Sequence, residues 1–393
     1  MSVQTPGSQS SLHQANVGRV LRAVRTGGAL TQAEISRGTG LSAATVSNIV
    51  RELAADGTVV VSTTSSGGRR ARSVALSPLA GVLVGLDFGH SHLRVAIGDL
   101  SRQILAEDAV PIDVDSSAEQ CFDLAERKLD ELLVRAGVER AKVIGVGLGV
   151  PGPIDADTGE IGSSALLPGW VGVRPGPALS DRLGLPVHPD NDANLGALGE
   201  LVWGAGRGHP DLVYLKLSTG VGAGLVIGGR IYRGSGGTAG EIGHITLDED
   251  GPVCRCGNRG CLETHANSKY LLGLLAPSHG PELTVPQAVA LAQRGDPGCR
   301  RVIADIGRHV GVGVANLCNL INPRQVVLGG DLAAAGELLT VPLYESVSRY
   351  AIPSAARQLS VAPGTLGDRA EVLGALALVM SEMDQSSVLA ALL

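Results

Sequence analysis

Apolar positions in residues 16–25 fall at Val17, Val20, Leu21 and Val24, one face of a helix, and Gly27-Gly28 ends the run. Thr31-Gln-Ala-Glu34 has the order of a capping box and opens a second helix. A turn at Gly40-Leu41 follows, and Ser42 is placed to cap a third helix over 43–55. Ala33, Ile35, Leu41, Val46, Ile49 and Leu53 offer a small core. Strand-like stretches at 59–63 and 70–76 then flank Ser65-Ser-Gly-Gly-Arg-Arg70. Helix, glycine turn, helix and hairpin together predict an N-terminal all-α winged helix-turn-helix over 15–77. Residues 1–14, rich in Ser and Gln, are expected to be disordered.

After Pro78 and Gly81 the pattern changes to strands. Residues 82–99 read as a strand, a tight turn and a returning strand, and 104–110 as a third strand. A helix over 117–137, with Leu124, Leu129, Leu132 and Leu133 apolar, leads to a buried strand at 143–150. Residues 212–218 and 223–227 repeat the hairpin around Thr219-Gly-Val-Gly222. Helices at 266–275 and about 299–321 then precede a strand at 325–328. Two halves that both begin with a glycine-turned hairpin predict an α/β two-lobed body over 82–393, with a cleft between the lobes.

Charge separates the two parts. Residues 1–76 hold eight arginines, no lysine and three acids, a surplus of five positive charges. The whole chain has net charge −6, so the remainder is strongly acidic and only the head suits a polyanion. The third helix presents Ser42, Thr45, Ser47, Asn48 and Arg51 on its polar side, short donors and acceptors that can read base edges. Arg69 and Arg70 at the wing tip could lie along a DNA backbone or in a minor groove. A small bundle for protein contacts is the alternative. No apolar run is long enough to span a bilayer and no signal peptide opens the chain, so a cytoplasmic protein with no membrane partner is expected.

Three of the six cysteines lie within Cys254-Arg-Cys-Gly-Asn-Arg-Gly-Cys-Leu-Glu263. Thiolates this close on a glycine-turned loop suit a structural zinc ion, with His244 or His265 as the fourth ligand. A disulfide or a cluster of buried thiols is the competing reading. Upstream, Asp190-Asn191-Asp192 opens an otherwise apolar helix. Asp192 could cap that helix, or take a proton from a substrate hydroxyl while Asn191 binds a neighbouring one. With Glu241, His244 and Glu263 these residues suit a polyol. Asp87-Phe-Gly89, Thr219-Gly220 and Gly329-Gly330 are turns that could face a nucleotide, although no Walker loop occurs.

The body resembles the ROK family (repressors, open reading frames and kinases) of the actin–hexokinase superfamily over about 82–380. Its most specific feature is C-x-C-G-x-x-G-C-[LF]-E, here Cys254 to Glu263. The head is similar to that of the family's transcriptional branch. The resemblance implies that His244 joins Cys254, Cys256 and Cys261 around zinc. It also implies that Asn191, Asp192, Glu241, His244 and Glu263 bind a sugar, with Asp192 as base in the kinases. Family kinases carry D-x-G-G-T-[KN] in the first phosphate turn, whereas this chain has Asp87-Phe-Gly-His90-Ser-His92. Asn is also missing from Leu166-Leu-Pro-Gly-Trp170. These departures predict a degenerate ATP–Mg site beside an intact sugar pocket. The expectation is a sugar-responsive repressor that binds a palindromic operator as a homodimer or dimer of dimers, with a sugar or sugar phosphate as its effector. The alternative is an ATP-dependent sugar kinase with a DNA-binding head.

Overall fold

The computed structural model describes residues 9–66, 69–77, 80–161 and 167–385. Helix α1 (Gln9–Gly27) opens the head, followed by β1 (Leu30–Thr31), α2 (Gln32–Thr39), α3 (Ala43–Ala55), β2 (Val59–Ser66) and β3 (Arg69–Leu76). Both expected caps form. The Thr31 hydroxyl accepts from the Glu34 amide while Glu34 accepts from Thr31 N, and Ser42 Oγ accepts from Thr45 N at 3.1 Å. Val46, Ile49, Val50 and Leu53 are the buried face of α3. Strands β2 and β3 pair antiparallel from Val59↔Leu76 to Ser66↔Arg69, and β1 adds a third strand on β3.

Two expectations for this region change, and a third falls outside the described residues. Helix α1 begins at Gln9, so residues 9–14 are helical where disorder was expected; the rest of that segment lies outside the described residues. Ala33 is exposed, because the core face of α2 runs through Ile35 and Thr39. Arg69 and Arg70 open β3, but their side chains and the Gly67-Gly68 tip lie outside the described residues.

The body follows the duplicated plan. Its first lobe contains β4 (Val82–Phe88), β5 (His92–Asp99), β6 (Ile104–Pro111), α4 (Ala118–Ala136), β7 (Val143–Val150), α5 (Pro175–Leu183) and β8 (Val187–Asn191). Helix α6 (Asp192–Val202) leads to β9 (Leu212–Leu217), β10 (Val221–Ile227) and β11 (Arg230–Ile231). Then come α7 (Glu263–Ala266), α8 (Ser268–His279), α9 (Val285–Gln293), α10 (Pro297–Ile321), β12 (Gln325–Gly329), α11 (Glu337–Tyr350), α12 (Pro353–Ala356), β13 (Ser360–Pro363) and α13 (Ala370–Gln385). The sheets run β6-β5-β4-β7-β8 and β11-β10-β9-β12-β13. Each is an antiparallel three-strand meander continued by two parallel strands. The repeated strand order identifies a duplicated α/β fold.

Two helices join the lobes. Helix α13 lies on the first sheet and α6 on the second, and the two pack against each other. Glycine makes this contact possible: a Cβ on Gly147 would strike the Ala375 carbonyl, and one on Gly374 the Leu195 carbonyl. In the first lobe Phe88, Phe122 and Trp170 form an edge-to-face group, with Trp170 Nε1 donating to the Val114 carbonyl at 2.9 Å. Deleting a buried ring of this kind costs about 3–5 kcal/mol. Among the described residues no helix is long and apolar enough to cross a membrane.

Candidate functional site

The loop between β11 and α7 brings four metal-ligating groups together. The donor atoms of His244, Cys254, Cys256 and Cys261 all lie within 4.8 Å of one another. Left-handed backbone at Gly257 (φ 94°) and Gly260 (φ 57°) lets the loop double back, and Cys254 N donates to the Asn258 carbonyl at 2.7 Å. Cys254 Sγ lies 3.6 Å from His244 Nδ1, and Cys256 Sγ lies 3.7 Å from Cys261 Sγ. A tetrahedron of zinc–sulfur bonds has edges of about 3.8 Å, so the donor set and its spacing fit such an ion. The described cysteines are all free thiols. Burial, with hydrogen bonds from the Cys261 thiol to Cys256 and Cys254, pushes that thiol up to about 12; a bound cation reverses that preference. His265, the other candidate, instead stacks on Tyr270 and His309.

The predicted polyol residues meet in one cleft. Asn191, Asp192, Glu241, His244 and Glu263 line it together with Gly89, Thr219, Gly220 and Gly330. Asn191 is the N-cap of α6, and its Oδ1 accepts from Ala193 N at 2.9 Å. The capping role considered for Asp192 is therefore largely taken by its neighbour. Asp192 Oδ1 accepts from Ala193 N and Oδ2 from Lys216 Nζ at 2.9 Å, and both Asp192 and Lys216 line the cleft. Glu263, at the start of α7, accepts from Val221 N at 3.0 Å and from Arg255 Nε at 2.9 Å. Burial, reinforced by Asp192 and Glu263, pushes the Glu241 carboxyl up to about 7. Carboxylates accept from adjacent hydroxyls, and an amide, or a carboxyl that holds its proton, donates to them.

The phosphate side differs. Asp87 is fully buried behind the lining, and its Oδ2 is 3.2 Å from His92 Nε2. The His92 ring lies where a Cβ on Gly89 would point, covering the turn that would approach a phosphate. Burial lowers the pKa of His90, so this ring favours its neutral form. Gly329 and Gly330 have internal reasons to be glycine. A Cβ on the first would strike the Tyr214 ring, and one on the second, at φ 78°, the Leu217 backbone. Gly329 and Asp87 do not line the cleft.

Sequence reasoning missed Lys216, Arg255, His92 as the partner of Asp87, and Glu371. Lys216 Nζ reaches Glu371 Oε1 at 3.1 Å as well as Asp192. A lysine in the otherwise apolar strand Leu212-Val-Tyr-Leu-Lys-Leu217 was the available signal. In the head, Ser42, Asn48 and Arg51 are exposed and Thr45 and Ser47 half-buried, Ser42 as the cap of α3 and the others on it. Arg51 Nη1 donates to Asn48 Oδ1 at 3.2 Å.

Fold and site together define a two-lobed, hexokinase-like body carrying a winged helix-turn-helix. The sequence matches the ROK family over residues 83–382 and the MarR family over 14–71. The chain belongs to the ROK family. It is 31% identical over 392 residues to the xylose repressor of Caldicellulosiruptor bescii, a match covering 96% of this chain and 98% of that one. It is 35% identical over 308 residues to the glucokinase of Halalkalibacterium halodurans, covering 74% and 92% of the two chains. In fold it resembles a ROK family transcriptional regulator described as a homolog of the E. coli MLC protein. That likeness has a TM-score of 0.81 at 24% identity and covers 97% of this chain and 99% of the other.

Proposed function

We propose that this protein is a sugar-responsive DNA-binding transcriptional repressor whose kinase-like body senses and does not catalyse. The observation that carries this reading is the contrast within the cleft. The hydroxyl-binding groups converge, whereas the first phosphate turn is covered by His92 and its Asp87 is already paired. The xylose repressor matches head and body alike, and the glucokinase matches only the part covering 74% of this chain.

In this reading residues 15–77 are the DNA-binding head and 82–393 the sensing body. The chain works in the cytoplasm as a homodimer or dimer of dimers, with one α3 per half-site of a palindromic operator. Ser42, Thr45, Ser47, Asn48 and Arg51 face the groove, and Arg69 and Arg70 the backbone. Asn191, Asp192, Glu241, His244 and Glu263 bind a sugar or sugar phosphate. Zinc on His244, Cys254, Cys256 and Cys261 has a structural role, fixing the loop that aims Arg255 and Glu263. Asp87, Gly89, Thr219, Gly220, Gly329 and Gly330 are the remains of a nucleotide site. A sugar switches the protein only if it favours one lobe arrangement over the other.

The test is an ATP-dependent phosphorylation assay across a panel of neutral sugars, run beside operator release by the same sugars. Release without turnover is expected. Clear turnover would make the protein a kinase carrying a DNA-binding head.

A further inference from the structure

The two helices that join the lobes meet at a single ammonium. Lys216 projects from β9 in the second sheet. It is held by Asp192, the first residue of α6, and by Glu371, in the first turn of α13. Its side chain is only 17% exposed. Burial alone would lower its pKa, but Asp192 and then Glu371 outweigh that and hold it well above the ordinary lysine value. The amine is therefore a fixed positive charge inside the cleft. Tyr214, two residues earlier on the same strand, donates its hydroxyl to Glu371 Oε1 at 3.2 Å. The first turn of α13 is thus tied to the second sheet by two polar contacts.

Farther along, α13 contributes to an apolar cluster that continues through Leu83 and Leu100 of the first lobe and includes residues of the head. Val372, Leu376 and Met383 belong to the same continuous apolar cluster as Val17, Leu21 and Ile49 of the head. One helix therefore carries a polar anchor at the pocket and an apolar surface shared with the DNA-binding part.

We propose that Lys216 is the positioning residue through which the pocket answers a bound sugar: it holds Asp192 and Glu371 together, and a hydroxyl on Asp192 competes for it. Asp192 lines the cleft, its Oδ1 is held by the Ala193 amide, and the ammonium occupies its Oδ2. A hydroxyl donating to that oxygen leaves Lys216 to Glu371 alone, which changes the restraint on α13. A differential contact of this kind is what a two-state element needs to couple two sites, since proximity alone does not couple them. The inference rests on the sugar-sensing reading and adds the route by which sensing leaves the pocket.

The test compares full-length wild type with Lys216→Met, which keeps the chain length and removes the charge, and with Glu371→Gln. Glu371→Gln leaves the Lys216–Asp192 pair intact. The DNA is a duplex selected from a random library by the wild-type protein, and the probes are D-xylose and D-glucose. Calorimetry measures sugar binding and fluorescence anisotropy measures DNA affinity. For wild type, the sugar that binds is expected to weaken DNA binding at least tenfold. Both variants should bind DNA as wild type does. Glu371→Gln should bind that sugar within about threefold of wild type, and in both variants saturating sugar should weaken DNA binding less than twofold. Variants that still release DNA as wild type does overturn the role of Lys216. So does a Glu371→Gln protein whose lost response is explained by lost sugar binding. A wild-type protein that binds sugar without releasing DNA sinks the sensing reading itself, a distinct result.

Discussion

The two sides of the cleft are built on the same duplicated sheet, yet their polar groups are used differently. On the sugar side, Asn191, Asp192, Glu241 and Glu263 come from three separate segments and face a shared space. On the phosphate side, Asp87 is matched to His92, Arg94 to Asp368 at 2.9 Å, and Ser218 donates to Asp331 at 2.8 Å. Asp192 and Glu263 are paired as well, with Lys216 and Arg255, so the contrast rests on His92, whose ring fills the space beside Gly89. In the proposed reading one fold keeps a recognition site while losing a reaction, through a few side chains that leave the backbone plan untouched.

Removing the metal should disturb this contrast most. Cys256→Ser, or a strong chelator, should lower the thermal midpoint by about 4–5 °C. This corresponds to roughly 3 kcal/mol of lost folding free energy in a chain of this size. Sugar-induced stabilisation should disappear with it, because Glu263 and Arg255 lose their frame; scanning calorimetry with and without chelator measures both. An unchanged midpoint would remove zinc from the account. Next in size, Asp192→Asn removes a charged acceptor and should weaken sugar binding about 10- to 100-fold. Calorimetric titration decides this, and equal affinity would place the sugar elsewhere.

A smaller effect sharpens the phosphate side. MgATP should shift the wild-type midpoint by less than about 1 °C, the response expected when the ligand stays well below its dissociation constant. A clear shift would reopen the nucleotide site. In the head, Arg51→Ala should weaken DNA binding by about 1–2 kcal/mol. A flatter salt dependence would mark a phosphate contact, and relaxed preference at one base pair a base contact. The least change is expected from Ser42→Ala, about 1 kcal/mol of stability from the lost cap on α3, readable by denaturant unfolding.

Much of the molecule was legible because it is encoded locally. The capping box at Thr31, the cap at Ser42, the hairpins of both lobes and the cysteine loop each lie within a few residues, and each formed. The interactions that decide the cleft's chemistry are not local. Lys216 and Glu371 meet only because α13 returns from the end of the fold to lie between the sheets, and no periodicity in either segment records that meeting. His92 is similar at shorter range. The sequence shows a ring in a phosphate turn, but only the folded hairpin shows it reaching back to Asp87. Gly329 and Gly330 carry a packing reason that the sequence did not show, the closeness of Tyr214 and of the Leu217 backbone.

The central claim is that the cleft reports to the head. It is tested most directly by the affinity of the wild-type protein for its selected operator, measured by anisotropy with and without a sugar that binds in calorimetry. The account predicts at least a tenfold rise in the DNA dissociation constant at saturating sugar, with no phosphorylated product when MgATP is present. An unchanged dissociation constant under saturating sugar would contradict it.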